Sequence, residues 1–382
     1  MANNNNTKNL NVPTLRFPEF TGEWEETIFE KVCNITTGNK NTQDKEEDGE
    51  YPFYVRSEIV ERINSYSFNG EAILTAGDGV GVGKVFHYVN GKVGVHQRVY
   101  ILSDFECSCK FAYYYFSGKF YNRVKRMSAK NSVDSVRRDM IAQMPILLPV
   151  RCEQNKIATF LSFLDRRIEI QGKIIERFES LIKGLSESLF SHKLGFEGFK
   201  QNWDMKYGNE IFLNISDKNQ TSNLPILAIT QEYGAIPRDL IDYKVTVTDK
   251  SVESYKVVQI GDFIISLRSF QGGIEYSNYK GICSPAYIVL RSIIPINNIF
   301  YKYYLKTNNY IAELNRKLEG IRDGKMISYK QFSEIPLPYP TITEQNEIAK
   351  CLSVINKKLE TEKLILKRYS KQKKYLLNNL LM

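Results

Sequence analysis

The chain has 382 residues, with 52 basic and 43 acidic side chains, a formal net charge of +9 and a hydrophobic fraction of 42%. That length suits two domains more than one core, the composition is that of a soluble globular protein, and no apolar run reaches the ~18 residues of a membrane span. Six scattered cysteines and three histidines show neither CxxC spacing nor a ligand-like pair, which argues against a zinc site or a disulfide framework.

Residues 1–12 are polar and of low complexity, and predict a frayed tail. With no apolar signal core there, the expected location is the cytoplasm. A first globular segment over 13–150 starts at Leu15-Arg-Phe17 and Trp24. It continues through a strand, Ala72–Thr75, into a glycine turn, Gly77–Gly83. Lys84–Tyr88, an Asn90-Gly91 hairpin turn, a strand over Val93–Leu102 and an aromatic-rich helix over 111–126 follow. Acids collect at Glu19–Glu30 and Asp44–Glu50, whereas Lys110 to Arg138 is rich in lysine and arginine. A local basic stretch of that kind suits a phosphate backbone.

A helix over 151–190 comes next, announced by Pro149. Leu161, Leu164, Ile168, Gln171, Ile175, Phe178, Ile182, Leu185 and Leu189 step alternately by three and four, an a/d heptad seam. A second globular segment over 191–340 runs from Leu194-Gly-Phe196 and Trp203 through Asp262–Ser266, Arg268–Gly273 and Ser284–Leu290 to an aromatic helix over 300–317. A second long helix over 341–382, with Thr343 as its predicted cap, carries the matching seam: Leu352, Ile355, Leu359, Glu362, Leu366, Tyr369, Lys373, Leu376 and Leu380. Gln171 and Glu362 interrupt the two seams at the same place, as register-setting polar residues or as solvated defects.

The chain is thus written twice. Pro145–Pro149 followed by Glu153-Gln-Asn-Lys-Ile-Ala158 corresponds to Pro336–Pro340 followed by Glu344-Gln-Asn-Glu-Ile-Ala349, and about a third of the next positions are identical. A period this long marks a duplicated domain, not a solenoid. The predicted fold is α/β (α+β): two similar domains joined by two long helices that form an antiparallel coiled coil about a pseudo-two-fold axis. Such a stiff rod is suited to hold two reading elements about one DNA turn apart, ~34 Å; a protein scaffold is the other reading of the same geometry.

Cofactor and catalytic signatures fail. A P-loop needs glycine five residues before Gly83 and Ser or Thr after Lys84, where Asp78 and Val85 stand. G-x-S-x-G, H-E-x-x-H and the Asn/Asp-Pro-Pro-Tyr/Phe motif are absent. What remains is chemistry for reading base edges: arginine pairs with guanine, and asparagine or glutamine with adenine. The candidates are Lys84, His96, Gln97, Arg98, Arg268, Gln271 and Tyr276, with Lys125, Arg126, Lys130, Arg137, Arg138, Arg322 and Lys325 for phosphates. Leu161, Leu164, Ile168, Gln171, Ile175, Leu352, Ile355, Leu359, Glu362 and Leu366 are the candidates for helix pairing and partner contact.

The repeated proline-plus-Glu-Gln-Asn helix starts, the paired Phe…Trp starts, Gly261-Asp-Phe263 and Ser284-Pro-Ala-Tyr287 together resemble the specificity (S) subunits of type I restriction-modification systems, over essentially the whole chain. The resemblance implies two target-recognition domains, 13–150 and 191–340, each reading half of a bipartite double-stranded DNA target. Helices 151–190 and 341–382 would set the spacer and dock two methyltransferase (M) subunits, with restriction (R) subunits joining the full complex. It also implies that this chain is not an enzyme, and that S-adenosylmethionine, ATP and Mg sit on the partners. The alternatives are a coiled-coil scaffold without DNA binding, a solitary S-like adaptor, and an enzyme with a degenerate motif.

Overall fold

A computed structural model of the chain describes residues 11–127, 135–199, 202–219, 224–241, 252–266, 274–316 and 327–381. It divides into two compact units: unit 1 holds residues 1–172 and 364–382, unit 2 residues 173–363. Each unit therefore owns one globular segment and one part of each long helix.

In unit 1 the strands are β1 (Glu25–Ile28), β2 (Asn34–Thr37), β3 (Tyr51–Tyr54), β4 (Val60–Ile63), β5 (Phe68–Ala76), β6 (Phe86–Val95), β7 (Val99–Ser103) and β8 (Pro145–Leu148). Six of them form a sheet in the order β2-β7-β5-β6-β3-β4, and β1 pairs with β8. In unit 2 they are β9 (Asp204–Tyr207), β10 (Phe212–Ile215), β11 (Leu227–Thr230), β12 (Gly234–Pro237), β13 (Lys256–Val258), β14 (Phe263–Ile265), β15 (Glu275–Tyr276), β16 (Gly281–Cys283), β17 (Ile288–Ser292) and β18 (Pro336–Tyr339). Here the order β10-β17-β14-β15 repeats β2-β7-β5-β6, and β9 pairs with β18 as β1 does with β8. Domain repeat and strand topology agree.

Each sheet is backed by an aromatic core. In unit 1 the helix Cys109–Met127 buries Phe111, Phe116 and Phe120 against Phe29, with the Phe29 and Phe116 rings 5.2 Å apart edge to face. In unit 2, Phe300 and Tyr301 join Phe212, Phe263 and Phe332. The repeated tryptophans serve the same end in both: Trp24 meets Phe111 at 5.8 Å and Trp203 meets Phe300 at 5.7 Å. Such edge-to-face pairs add to the burial of the rings themselves.

The long helices span Arg151–Phe190 and Ile342–Leu380, about 60 Å at 1.5 Å per residue. Within unit 1 they run antiparallel, since Lys373 Nζ meets Asp165 Oδ1 at 2.5 Å and Arg167 lies over the Tyr369 ring. Leu161 and Leu164 share the core there with Leu376 and Leu380; Ile168 is half-buried, as is Leu366. Within unit 2 the pairing is again antiparallel, Leu189 packing with Ile348 and Leu352 while Lys363 reaches Glu179. Ile175 and Leu359 are buried and Ile355 is half-buried, whereas off-seam Phe163 and Val354 are mostly exposed. Gln171 and Glu362 are buried as well, and Glu362 takes Lys358 at 2.8 Å.

The repeated Glu-Gln has a definite job. The Gln154 side chain donates from Nε2 to the Pro149 carbonyl at 2.7 Å and accepts the Ser108 amide at 2.8 Å. Gln345 does the same with the Pro340 carbonyl and the Asn297 amide, at 2.9 and 2.8 Å. One buried amide thus ties the proline strand end, the long helix and the start of the aromatic helix. The preceding carboxylates are buried too: Glu153 holds Arg16 through two 2.7 Å bonds, and Glu344 accepts Trp203 Nε1 at 2.8 Å.

Four local expectations are corrected. Asn90-Gly91 is not a hairpin turn but lies within β6, opposite Gly70-Glu71 of β5; Gly70 and Gly91 both have positive φ, a region glycine enters without a Cβ clash. The chain reverses instead at the glycine turn. Val93–Leu102 is not one strand: it breaks at His96–Arg98, because β6 and β7 flank β5 on opposite sides. The second aromatic helix splits into Asn298–Tyr304 and Asn308–Arg316, with Thr307 Oγ1 accepting the Tyr310 amide at the restart. The cap of the second long helix is Thr341, whose hydroxyl accepts the Glu344 amide, and not Thr343. Of the expected tail 1–12, residues 1–10 lie outside the described residues, while the Asn11 carbonyl accepts the Trp24 amide at 2.9 Å.

Gln154→Leu leaves the Ser108 amide and the Pro149 carbonyl without partners and is expected to destabilise unit 1 by about 2–4 kcal/mol. Urea unfolding followed by Trp24 fluorescence, in a Trp203→Phe background, measures it; a loss within ~0.5 kcal/mol would remove the clamp from the account.

Candidate nucleic-acid interface

The glycine turn between β5 and β6 is built around one carboxylate. Asp78 accepts from Arg56 at 2.9 Å and from Arg98 at 2.7 Å. Burial works against its charge, but the two guanidinium hydrogen bonds prevail and hold the carboxyl below its ordinary range. The turn is stitched to the sheet by the Gly77 amide on the Arg98 carbonyl, and to the segment beyond the aromatic helix by the Val136 amide on the Gly77 carbonyl. Its glycines answer to the protein itself. A Cβ at Gly81 would lie 2.3 Å from the Arg56 carbonyl, and Gly79 takes φ +77°. The turn needs glycine to close on Arg56, with no phosphate required to explain it.

This construction brings several of the candidate cations to one corner of unit 1. Arg98, anchored by Asp78, keeps a side chain 60% exposed. Lys84 is exposed and lies over the Tyr121 ring at 5.4 Å, on the aromatic helix whose last turn carries exposed Lys125 and Arg126. Arg137 and Arg138, both exposed, directly follow the Val136 contact. Gln97 is exposed beside Arg98. Lys130 lies outside the described residues.

His96 is different. It is 4% exposed, its Nδ1 accepts the Arg98 amide at 3.1 Å, and its Nε2 is 3.2 Å from the Thr42 hydroxyl. Both ring nitrogens are used inside the protein, so His96 positions Arg98 and does not face a base. Arg56 was missed in the sequence. It sits in a segment without local charge excess, and only the folded turn places it beside Arg98.

In unit 2 the corresponding turn carries Arg268 and Gln271, which lie outside the described residues, as do Arg322 and Lys325. Tyr276, at its end, is half-buried between Phe263 at 5.5 Å and the Lys302 ammonium at 5.4 Å, and lines a cavity of about 570 Å³. Burial raises its hydroxyl pKa. The motif residues are structural: buried Asp262 pairs with Arg291 through bonds of 2.8 and 2.7 Å, and the Tyr287 carbonyl accepts Lys256 Nζ. Among the described residues no group of three or more His, Cys, Asp or Glu could hold a metal ion.

The family model for the type I restriction modification DNA specificity domain matches residues 21–180 and again 199–368. The chain belongs to that family. It is similar to the type I restriction enzyme EcoDI specificity subunit of Escherichia coli, 23% identical over 86% of this chain and 80% of that one. It is also similar to the type I restriction enzyme MjaVIII specificity subunit of Methanocaldococcus jannaschii, 24% identical over 96% and 93% of the two chains. The fold is that of the type I restriction-modification S subunit from M. genitalium, with a TM-score of 0.64 and 18% identity over 97% of this chain and 99% of that one. No helix among the described residues is long and apolar enough to cross a membrane.

The Asp78 clamp makes a pH prediction. Its folded pKa is lowered, so its contribution is present above the unfolded carboxylate value of about 3.9 and is lost as pH falls through the lower folded value. At neutral pH, Asp78→Ala should speed exchange of the Gly77 and Gly81 amides roughly 3- to 10-fold, and this difference from the wild type should vanish at strongly acid pH. Equal exchange at neutral pH would show that the turn stands without Asp78.

Proposed function

We propose that this chain is the DNA-recognition subunit of a type I restriction-modification complex and does no chemistry itself. The observation that carries the reading is the double match to one DNA specificity domain, one copy for each half of a bipartite target. Unit 1 reads its half-site with the corner built on the glycine turn: Arg98, with Gln97, Lys84 and Arg56, approaches base edges, while Lys125, Arg126, Arg137 and Arg138 meet phosphates. Unit 2 uses the equivalent turn with Arg268 and Gln271, together with Tyr276, Arg322 and Lys325. Because the turns differ in sequence, the two half-sites differ.

The two long helices set the unspecified gap and dock two methyltransferase subunits. Those partners carry S-adenosylmethionine and methylate adenine, and restriction subunits with ATP and Mg join them for cleavage. The complex works on double-stranded DNA in the cytoplasm.

Adenine-methylation mapping of the host genome with and without this gene tests the reading. Loss of one motif with two short half-sites around a fixed gap is expected; an unchanged pattern would overturn a role in methylation. In the assembled complex, Lys125→Ala and Arg126→Ala should weaken binding to all sequences and lower the salt slope by about one each, whereas Arg98→Ala should relax one base position at a cost of about 1–3 kcal/mol.

A further inference from the structure

The two copies treat their buried glutamate differently. In unit 1, Arg16 donates to both oxygens of Glu153 from Nε and Nη2, and Trp24 Nε1 is left without a hydrogen-bond partner among the described residues. At the corresponding positions of unit 2 stand Gly195, Glu344 and Trp203. With no arginine to take the carboxylate, Trp203 Nε1 donates to it at 2.8 Å, the one side chain bound to it among the described residues.

The space opened by Gly195 is a cavity of about 170 Å³, lined by Phe196, Phe199, Trp203, His192 and Glu344. Glu344 is 6% exposed, while Gly195 and His192 are exposed, so the cavity has a way out to solvent. A carboxylate offers about four acceptor positions, and an indole N–H occupies one of them. A charge so buried is costly until a cation pairs with it, and a planar guanidinium suits it bidentately. Aromatic walls are compatible with a cation stacked against them.

We propose that this cavity is a cation site, taking a guanidinium or ammonium head group where unit 1 supplies its own Arg16. The head group comes either from a free small molecule or from an arginine or lysine of a partner subunit. The site goes beyond DNA recognition and does not depend on it.

The two tryptophans, one per unit, provide the test. In an indole ¹⁵N–¹H spectrum of the full chain, assigned with Trp203→Phe, methylguanidinium chloride titrated at constant ionic strength should move the Trp203 signal saturably. Urea, its neutral counterpart, should not, and Trp24 should stay in place as the internal control. Glu344→Gln should weaken the response about tenfold or more. Gly195→Arg, whose added Cβ meets open space, should abolish it and displace the Trp203 signal without ligand. Equal shifts at Trp24 and Trp203, an equal response to urea, or an undiminished response in Glu344→Gln would each overturn the site. If Gly195→Arg does not fold, Glu344→Gln alone decides. Repeating the titration with the methyltransferase partner bound separates the sources. A Trp203 signal already displaced and insensitive assigns the head group to the partner, and an unchanged titration assigns it to a free cation.

Discussion

A single buried carboxamide in each unit holds three chain segments together. Gln154 in unit 1 and Gln345 in unit 2 each accept the amide that begins an aromatic helix and donate to the proline carbonyl that ends a strand. The Ser108, Pro149 and Pro340 groups belong to buried residues and Asn297 to a half-buried one, so leaving them unpaired would cost free energy. The side chain doing this sits in the first turn of a long helix. The orientation of that helix against the sheet is thereby tied to the aromatic core, and the core to the strand pairs β1–β8 and β9–β18.

On that common frame the two units use their carboxylates differently. Unit 1 closes its hairpin turn around Asp78, which organises Arg56 and Arg98 and leaves part of Arg98 free. In unit 2 the buried carboxylate Asp262, just before β14, instead pairs with Arg291 of β17. Frame residues answer to buried hydrogen bonds and ring packing, which tolerate little change. In the unit 1 turn the glycines answer to Arg56, while Lys84, Gln97 and Arg98 are exposed.

The same contrast appears inside the frame at Glu153 and Glu344. Their backbone settings match, but one is neutralised by Arg16 and the other relies on an indole. A single position, arginine in unit 1 and glycine in unit 2, separates the two arrangements. Identical helix starts therefore do not have identical chemistry.

From the residues alone it was possible to determine the duplication, the helix seams and the α/β character of the segments. Each is a pattern local in the chain: the period of leucines on one helix face, and a repeated Pro…Glu-Gln-Asn string. The seam leucines are buried as their spacing implied, except Leu185 and Leu366, which are half-buried, and the strand–glycine turn–strand order holds in unit 1. The tertiary structure alone decided what depends on distant partners. Asn90-Gly91 is a hairpin signal by composition, yet pairing with Gly70-Glu71 along β5 kept it in a strand. His96 has the chemistry of a base reader, but the fold turned both its nitrogens inward. Arg56 carried no signal until the turn brought it to Asp78 from 22 residues away. Periodicity is set by the geometry of one helix or strand, whereas burial and charge pairing are set by which segments meet.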